Sequence, residues 1–170
     1  MPKTARLPVG SWRFWAIPLA ILIVAWWPRP STAPAPARAE AGWRVVERAV
    51  DGDTVVLVGG ERVRYIGVDT PELHHPKKPV QLYAREAWLF NRRVVEGRRV
   101  RLEYDVQARD RYQRTLAYVF LEDGTFVNAE LIRQGYAHIL TIPPNVKYQD
   151  RFLALEREAR TANRGLWSRR

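Results

Sequence analysis

Runs of apolar and β-branched residues separated by turn residues predict three consecutive strands at the start of the folded part of the chain. The first strand, at 43–50, ends at the dipeptide Asp51-Gly52, which is typical of a hairpin turn. An apolar run at 54–58 ends at two glycines, and residues 62–68 form a third apolar run. The pattern therefore predicts an antiparallel meander of three strands.

A helical period replaces the strand pattern further along the chain. Apolar residues recur at three- and four-residue spacing over 80–96, and Gly97 ends this predicted helix. Residues 99–104 then alternate as a strand, residues 115–121 form another strand of mainly apolar residues, and a short return strand is predicted at 125–127. The loop 69–79 between the third strand and the helix has three prolines and no periodicity.

Two further helices complete the pattern. Asn128 is predicted to cap a short helix that ends at Gly135, and the last helix covers about residues 148–163 before Gly165. Five main strands with about three packed helices predict an α+β fold built on a five-stranded OB-type β-barrel.

Residues 1–40 are predicted to lie outside this fold. Basic residues precede an apolar run at 14–27, and a stretch rich in proline and alanine follows at 28–39 as a linker. Two interpretations stay open: a cleaved signal peptide, or an uncleaved membrane anchor through 14–27 bracketed by tryptophans. Both predict that the domain at 41–170 is exported, either secreted or periplasmic, or held at the membrane outside the cytoplasm.

Composition narrows the chemistry. The 170 residues include no cysteine and only 3 histidines, which excludes disulfides, thiolate zinc sites and a cysteine nucleophile. A bound metal should therefore be a hard cation held by oxygen atoms. The net charge of +10 indicates a polyanionic partner such as nucleic acid, although solubility of an arginine-rich chain would also account for it.

Two aspartates are predicted to meet at one end of the meander. Asp53 begins the second strand and Asp69 ends the third, and these positions are neighbours in a meander. Two adjacent carboxylates repel unless a cation joins them, and Ca²⁺ accepts carboxylates together with a backbone oxygen such as that of Thr70. Each aspartate taken singly is also an ordinary turn residue.

Two arginines could complete such a site. Arg64 lies on the third strand, and Arg114 begins the strand at 115–121 after a charged loop. If they converge, two guanidinium groups form a phosphate clamp, because each donates two parallel hydrogen bonds to phosphate oxygens. Their simpler interpretation is a solvent-facing strand position and a solvated loop charge.

A set of ordered motifs resembles the staphylococcal (thermonuclease-type) nuclease family over about residues 43–168. The motifs are VDGDT at 50–54, RYIGVDTPE at 64–72, HPKK at 75–78, DRYQRTLAY at 110–118, VN at 127–128, LIRQG at 131–135 and GLW at 165–167. Their order and spacing together are specific, although each is weak alone. The resemblance implies the OB-type barrel and identifies 41–170 as a nuclease domain.

The resemblance implies a role for each matched residue. Asp53 and Asp69 match calcium-binding carboxylates and Thr70 a backbone ligand. Glu72 matches the general base, and Arg64 and Arg114 match the phosphate-binding pair. The remaining matches are Asp51 as a carboxylate near the metal, Lys77 and Lys78 in a loop at the edge of the site, and Tyr112 as a substrate contact, with a role in packing as its alternative.

The implied function is a Ca²⁺-dependent endonuclease that hydrolyses DNA and RNA, leaves 3′-phosphates and prefers single strands. One Ca²⁺ is expected, and nothing in the sequence demands more than a monomer. The alternative is a non-catalytic nucleic-acid-binding barrel, since this fold also serves as a binding module. The chain departs from the family after Gly135, where the segment 138–145 has no tyrosine to stack on a base. His138 in that segment is expected to be a solvated loop residue, with contact to substrate as its alternative role.

Overall fold

The computed structural model describes residues 42–73 and 79–168. The predictions for residues 1–40 and for Lys77 and Lys78 lie outside the described residues. The strands are β1 (Trp43–Asp51), β2 (Thr54–Leu57), β3 (Arg62–Tyr65), β4 (Gly67–Asp69), β5 (Arg99–Glu103), β6 (Thr115–Leu121) and β7 (His138–Leu140). The helices are α1 (Ala84–Val95), α2 (Val127–Arg133) and α3 (Gln149–Thr161), followed by a 3₁₀ turn at Gly165–Trp167.

Five of the strands close a barrel in the order β1-β2-β3-β6-β5. β3 and β6 run parallel and the other barrel neighbours antiparallel. Alternation places one side of each strand inside, so Val55 and Leu57 of β2 and Val63 of β3 are fully buried. The prediction of an α+β fold with a five-stranded OB-type barrel and three helices is confirmed.

The third predicted strand is broken, and this part of the prediction was wrong. Gly67 has φ of 80° and separates β3 from β4. A Cβ at Gly67 would also collide with the ring of Phe152 on α3, so the position needs glycine on both counts. β4 leaves the barrel and pairs antiparallel with β7, which the sequence pattern did not predict.

The start of α2 also differs from the prediction. The return strand at 125–127 is reduced to a single bridge between Phe120 and Phe126, and the helix begins at Val127. Asn128 lies inside the helix, fully buried, and does not cap it. Its Oδ1 accepts the Val119 amide at 2.9 Å and its Nδ2 donates to the Ile66 carbonyl at 2.9 Å, so it satisfies backbone groups beside the break after β3.

α1 is fixed to the barrel by polar side chains that reach backbone carbonyls. Asn91 donates from Nδ2 to the Asp51 carbonyl at 2.9 Å and accepts the buried Tyr65 hydroxyl at 2.9 Å. Trp88 donates from Nε1 to the Ala49 carbonyl at 3.1 Å. Burial raises the pKa of Tyr65 far above its ordinary value, so this hydroxyl remains a donor. These bonds hold α1 beside the turn that joins β1 and β2.

The helix α1 begins at Ala84, later than predicted, because Tyr83 adopts a left-handed φ of 64°. Within residues 42–73 and 79–168, no helix is both long and apolar enough to cross a membrane.

Candidate active site

A polar cleft of about 550 Å³ opens at the end of the barrel beside α1. Five of the residues singled out from the sequence line it together: Asp51, Asp53, Arg64, Glu72 and Arg114. They come from the β1–β2 turn, from β3, from the loop after β4 and from the start of β6. The barrel therefore brings together side chains that are up to 63 positions apart in the chain.

Asp53 is buried at the bottom of this cleft and is held by two threonines. Thr70 donates both its amide N–H and its hydroxyl to Oδ2 of Asp53, at 2.9 and 3.0 Å. Thr54 donates its hydroxyl to Oδ1 at 3.1 Å. Gly52 permits this arrangement, because a Cβ there would lie 2.6 Å from Oγ1 of Thr70. The glycine of the predicted turn thus has a second role, which is to let Thr70 reach Asp53.

Arg64 lies against both predicted metal-binding carboxylates. Its Nη1 is 2.6 Å from Oδ2 of Asp53 and its Nη2 is 2.9 Å from Oδ1 of Asp69. The Nη2 contact is an aligned hydrogen bond, whereas Nη1 is buried without one. The expected proximity of the two carboxylates is therefore observed, and Arg64 supplies a positive charge between them.

The donor set suits a hard cation. Asp53, Asp69 and the Thr70 backbone offer oxygen atoms alone, which is the ligand chemistry that Ca²⁺ prefers. The side chain of Asp69 is 51% exposed, and the amide and hydroxyl of Thr70 serve Asp53 while its carbonyl oxygen does not take part in these bonds. Among the described residues, no group of three or more His, Asp or Glu side chains is placed to hold a metal. A cation here would thus depend on water and substrate oxygens for its remaining ligands.

Glu72 follows β4 on a loop, exposed at the mouth of the cleft. Its backbone is held by Gln81, a residue that the sequence analysis missed. The Glu72 amide donates to Oε1 of Gln81 at 2.9 Å, and the Gln81 amide donates to the Glu72 carbonyl at 3.2 Å. The carboxylate of Glu72 itself has no partner within the described part of the chain. Its backbone is fixed while its carboxylate stays available to solvent and substrate.

Asp110 is a second residue that the sequence analysis missed. Its Oδ1 accepts the amides of Tyr112 and Arg114, each at 2.9 Å, and its Oδ2 accepts Nε of Arg114 at 2.7 Å. Burial would raise the pKa of Asp110, but the hydrogen bonds from Arg114 and Tyr112 outweigh it and hold that pKa below its ordinary value. The motif DRYQR carried the signal, since an aspartate commonly bonds backbone amides just after it.

Tyr112 does not line the polar cleft. It is 66% exposed, and the guanidinium carbons of Arg111 and Arg114 lie 4.8 and 5.6 Å from its ring centre. It borders an adjoining, more apolar pocket of about 480 Å³, which Leu140 and Ile142 also line. Arg64 and Arg114 line both cavities, so they stand at the boundary between a polar and an apolar half of one continuous surface.

The remaining predicted residues fall into three groups. Asp69 and Thr70 do not line the cleft, but they contact Arg64 and Asp53, which do. Asp51 lines the cleft, and its Oδ1 accepts the Gly52 amide at 2.9 Å. His138, expected in a loop, is instead paired with Asp69 across β4 and β7, exposed, with its ring 5.0 Å from that of Trp167.

Comparison with known proteins gives a consistent result. The sequence model described as "Staphylococcal nuclease homologue" matches residues 62–169. A "Thermonuclease" of Staphylococcus intermedius is 43% identical over 128 residues, 74% of this chain and 76% of that protein. A "Thermonuclease" of Staphylococcus hyicus is 42% identical over 132 residues, covering 76% and 77%. "Endonuclease YncB" of Bacillus subtilis is 40% identical over 129 residues, covering 73% and 61%.

Proposed function

Because the chain belongs to the family of staphylococcal nuclease homologues and is an enzyme that hydrolyses phosphodiester bonds, we propose that its cleft is a Ca²⁺-dependent endonuclease site acting on DNA and RNA. The observation that carries this proposal is the convergence of Arg64, Arg114 and Glu72 on one polar cleft beside Asp53. Two guanidinium groups fit a phosphate, and an unpaired carboxylate fits a water molecule.

The two arginines would bind the scissile phosphate. Arg64, which lines the cleft between Asp53 and Asp69, would contribute its positive charge, and Arg114 would contribute its two Nη groups, since its Nε is already bonded to Asp110. Both would stabilise the charge that grows on the non-bridging oxygens as the bond to phosphorus forms. Removal of one such donor typically costs about 3–4 kcal/mol of transition-state stabilisation.

Glu72 would orient a water molecule and accept its proton as the oxygen attacks phosphorus in line. The P–O5′ bond would break, the leaving 5′-oxygen would take up a proton from solvent, and the phosphate would remain on the 3′ side. Asp53, Asp69 and the Thr70 carbonyl would hold one Ca²⁺, which supplies Lewis-acid stabilisation of the phosphate when bound. Asp51 would add negative charge beside that cation.

The shape of the surface favours a single strand. A cleft of about 550 Å³ joined to an apolar pocket of about 480 Å³ accepts a backbone and one unstacked base, but not a stacked duplex. Tyr112 would contact the substrate there, with Leu140 and Ile142 in place of a stacking tyrosine. We expect Lys77 and Lys78 to add charge at the edge of the site.

The N-terminal residues 1–40 would place this activity outside the cytoplasm, as a signal peptide or as an anchor through 14–27. We expect the protein to act as a monomer, because the residues of the cleft all come from one chain. Fractionation of cells, with detection of the N-terminus by mass spectrometry, tests the location. A full-length N-terminus found in the cytosol would contradict it.

The activity itself is tested by incubating the full chain with single-stranded DNA or RNA in Ca²⁺, in Mg²⁺ and in EDTA. We expect cleavage of both polymers in Ca²⁺, little in Mg²⁺, which demands a tighter octahedral shell, and none in EDTA. Product ends should carry 3′-phosphates. Full activity in EDTA, or equal activity with both metals, would contradict the calcium assignment, and 5′-phosphate ends would contradict the proposed bond cleavage.

A further inference from the structure

Two arginines at the rim of the cleft have no role in the proposed hydrolysis. Arg48 on β1 and Arg62 on β3 are both exposed and both line the cleft. Neither has an ion-pair partner among the described residues. Other exposed arginines of the barrel strands are paired, as Arg44 is with Glu61 at 3.1 Å and Arg99 with Glu122 at 3.3 Å. The cleft therefore retains positive charge that the fold does not neutralise.

The strand register arranges this charge in a row. Arg48 is the partner of Val56 on β2, and Val56 is the partner of Arg62 on β3. Residues in register across a sheet share one face, so Arg48 and Arg62 flank Val56 on the outer face of the barrel. Val56 is only 5% exposed although it is not part of the hydrophobic core cluster. The flanking positions allow the aliphatic parts of the arginines to cover it while their charged ends reach solvent.

The row continues into the proposed catalytic site. Arg62 and Arg64 are two residues apart on β3 and therefore share a face, about 6.6 Å apart along the strand. This separation is comparable to that of successive phosphates along an extended single strand. Asp51, an acidic neighbour in the same cleft, lies three residues from Arg48 along β1, at the turn end of the strand.

We infer that Arg62 and Arg48 form a second phosphate-binding subsite, which holds the sugar-phosphate backbone next to the scissile phosphate. Its ligand is the phosphodiester backbone of a single strand, contacted by charge and without recognition of bases. The strand would run from the apolar pocket, past Arg114 and Arg64, to Arg62 and Arg48. This inference rests on the proposed function, because the position of the scissile phosphate defines the start of the row.

The test measures binding of fluorescent DNA oligonucleotides to the full chain in EDTA, where hydrolysis does not interfere. One oligonucleotide has about 12 nucleotides, within the range that OB-type barrels cover, and the other is a dinucleotide, whose single phosphate cannot occupy the scissile position and the proposed subsite together. The variant is Arg48→Gln combined with Arg62→Gln. The control is Arg93→Gln combined with Arg157→Gln, which removes the same charge from exposed positions outside the cleft.

We expect the cleft variant to bind the longer oligonucleotide about tenfold more weakly, as fits the loss of two exposed ion pairs. Its slope of log affinity against log salt should fall by about 1.4, since each contacted phosphate of a single strand contributes about 0.7. The shorter oligonucleotide should lose much less, and the control should lose little for either length. Arg48→Lys combined with Arg62→Lys should retain most of the binding, which also shows that the positions tolerate substitution.

Equal losses in the cleft variant and the control, or equal losses for both lengths, would overturn the subsite. Hydrolysis by the wild-type chain in Ca²⁺ is measured on the same preparation. If the wild type hydrolyses DNA but the Arg48→Gln, Arg62→Gln variant binds the longer oligonucleotide as well as the control does, only the subsite is refuted. The arginine-dependent loss without hydrolysis refutes the proposed function and leaves the subsite as a binding surface.

Discussion

Arg114 is bonded to Asp110 at two points, through its backbone amide to Oδ1 at 2.9 Å and through its Nε to Oδ2 at 2.7 Å. This double contact fixes both the start of β6 and the plane of the guanidinium group. The bond to Asp110 uses the Nε of the guanidinium group. The two Nη groups do not take part in it, and their direction is set by the plane that this bond fixes. Asp110 is thus a positioning residue for a group that is proposed to bind phosphate.

Asp110→Asn should lower kcat by about 10- to 100-fold while the fold is retained, because misplacement of a binding group by about 1 Å costs this much. A double-mutant cycle with Arg114→Lys distinguishes positioning from a structural role. The two losses should combine to far less than their product. Independent, multiplicative losses would show that Asp110 does not act through Arg114.

The arginines themselves should not tolerate lysine. Arg64→Lys and Arg114→Lys should each lower kcat/KM by about 10²- to 10³-fold, since lysine keeps the charge but cannot donate two parallel hydrogen bonds. Arg101→Lys, at an exposed position on β5, is the matched control and should stay near the wild-type value. Near-normal turnover of either cleft variant would show that its arginine supplies only long-range charge.

The two metal-binding aspartates should behave differently in stability and alike in metal requirement. Asp53 accepts hydrogen bonds from Thr54 and Thr70, so Asp53→Asn should destabilise the fold by about 1–3 kcal/mol as donors lose their acceptor. Repulsion between carboxylates does not offset this loss, because Arg64 already lies between them. Asp69→Asn should change stability little, since Asp69 is half-exposed.

Both aspartate variants should require more Ca²⁺ for half-maximal cleavage, because each loses one charged ligand. Urea unfolding and a calcium titration of activity provide the two readouts. An unchanged calcium requirement in Asp69→Asn would remove this residue from the metal site. A fully stable Asp53→Asn variant would show that the threonine contacts contribute little.

Acid should weaken the contact between the barrel and the segment before α3. Asp105 accepts the Tyr118 hydroxyl and the Lys147 amide, each at 3.0 Å. Burial would raise the pKa of Asp105, but these hydrogen bonds outweigh it, so the pKa is lowered from 3.8. A lowered pKa means that the carboxylate stabilises the fold at pH above 3.8, and that this contribution is lost as the pH falls through the folded-state value.

Asp105→Asn should therefore lower the urea midpoint at pH 7 and have a smaller effect in strong acid. The urea midpoint of the wild type over the same pH range is the reference. If the Asp105 variant lost the same stability at every pH, the contribution of its ionised form would be refuted.

Local pattern was sufficient to predict the barrel and its helices, because five strands and three helices each carry their own periodicity. The turn at Gly67 and the pairing of β4 with β7 depend on contacts between residues about 70 positions apart, which a local pattern does not contain. Asn128 matched a cap by its residue type, but buried backbone groups of Val119 and Ile66 determined its actual role.

The cleft shows the same division. The motifs identified four charged residues of the cleft, because a carboxylate or a guanidinium group indicates by itself what it can bind. These residues are Asp53, Arg64, Glu72 and Arg114. Gln81 was missed because its role is to form hydrogen bonds with backbone atoms of Glu72. Neither the residue type nor its spacing from Glu72 predicts such bonds. The sequence predicted that a metal ion would join the carboxylates of Asp53 and Asp69. Only the folded geometry shows that the positive charge of Arg64 also lies between them.

The cleft is proposed to catalyse hydrolysis and not merely to bind nucleic acid. The most direct test is the single-turnover rate of cleavage of a bound single-stranded DNA by the wild type and by Glu72→Gln at saturating Ca²⁺, with the affinity for the DNA measured alongside. Glu72 is exposed and its backbone is held by Gln81, so folding and affinity should be retained. The rate should fall by at least about 100-fold, as expected when a general base is lost. A rate within about threefold of the wild type, about 0.65 kcal/mol, would remove Glu72 from the reaction, and absence of cleavage by the wild type would show that the cleft is only a binding site.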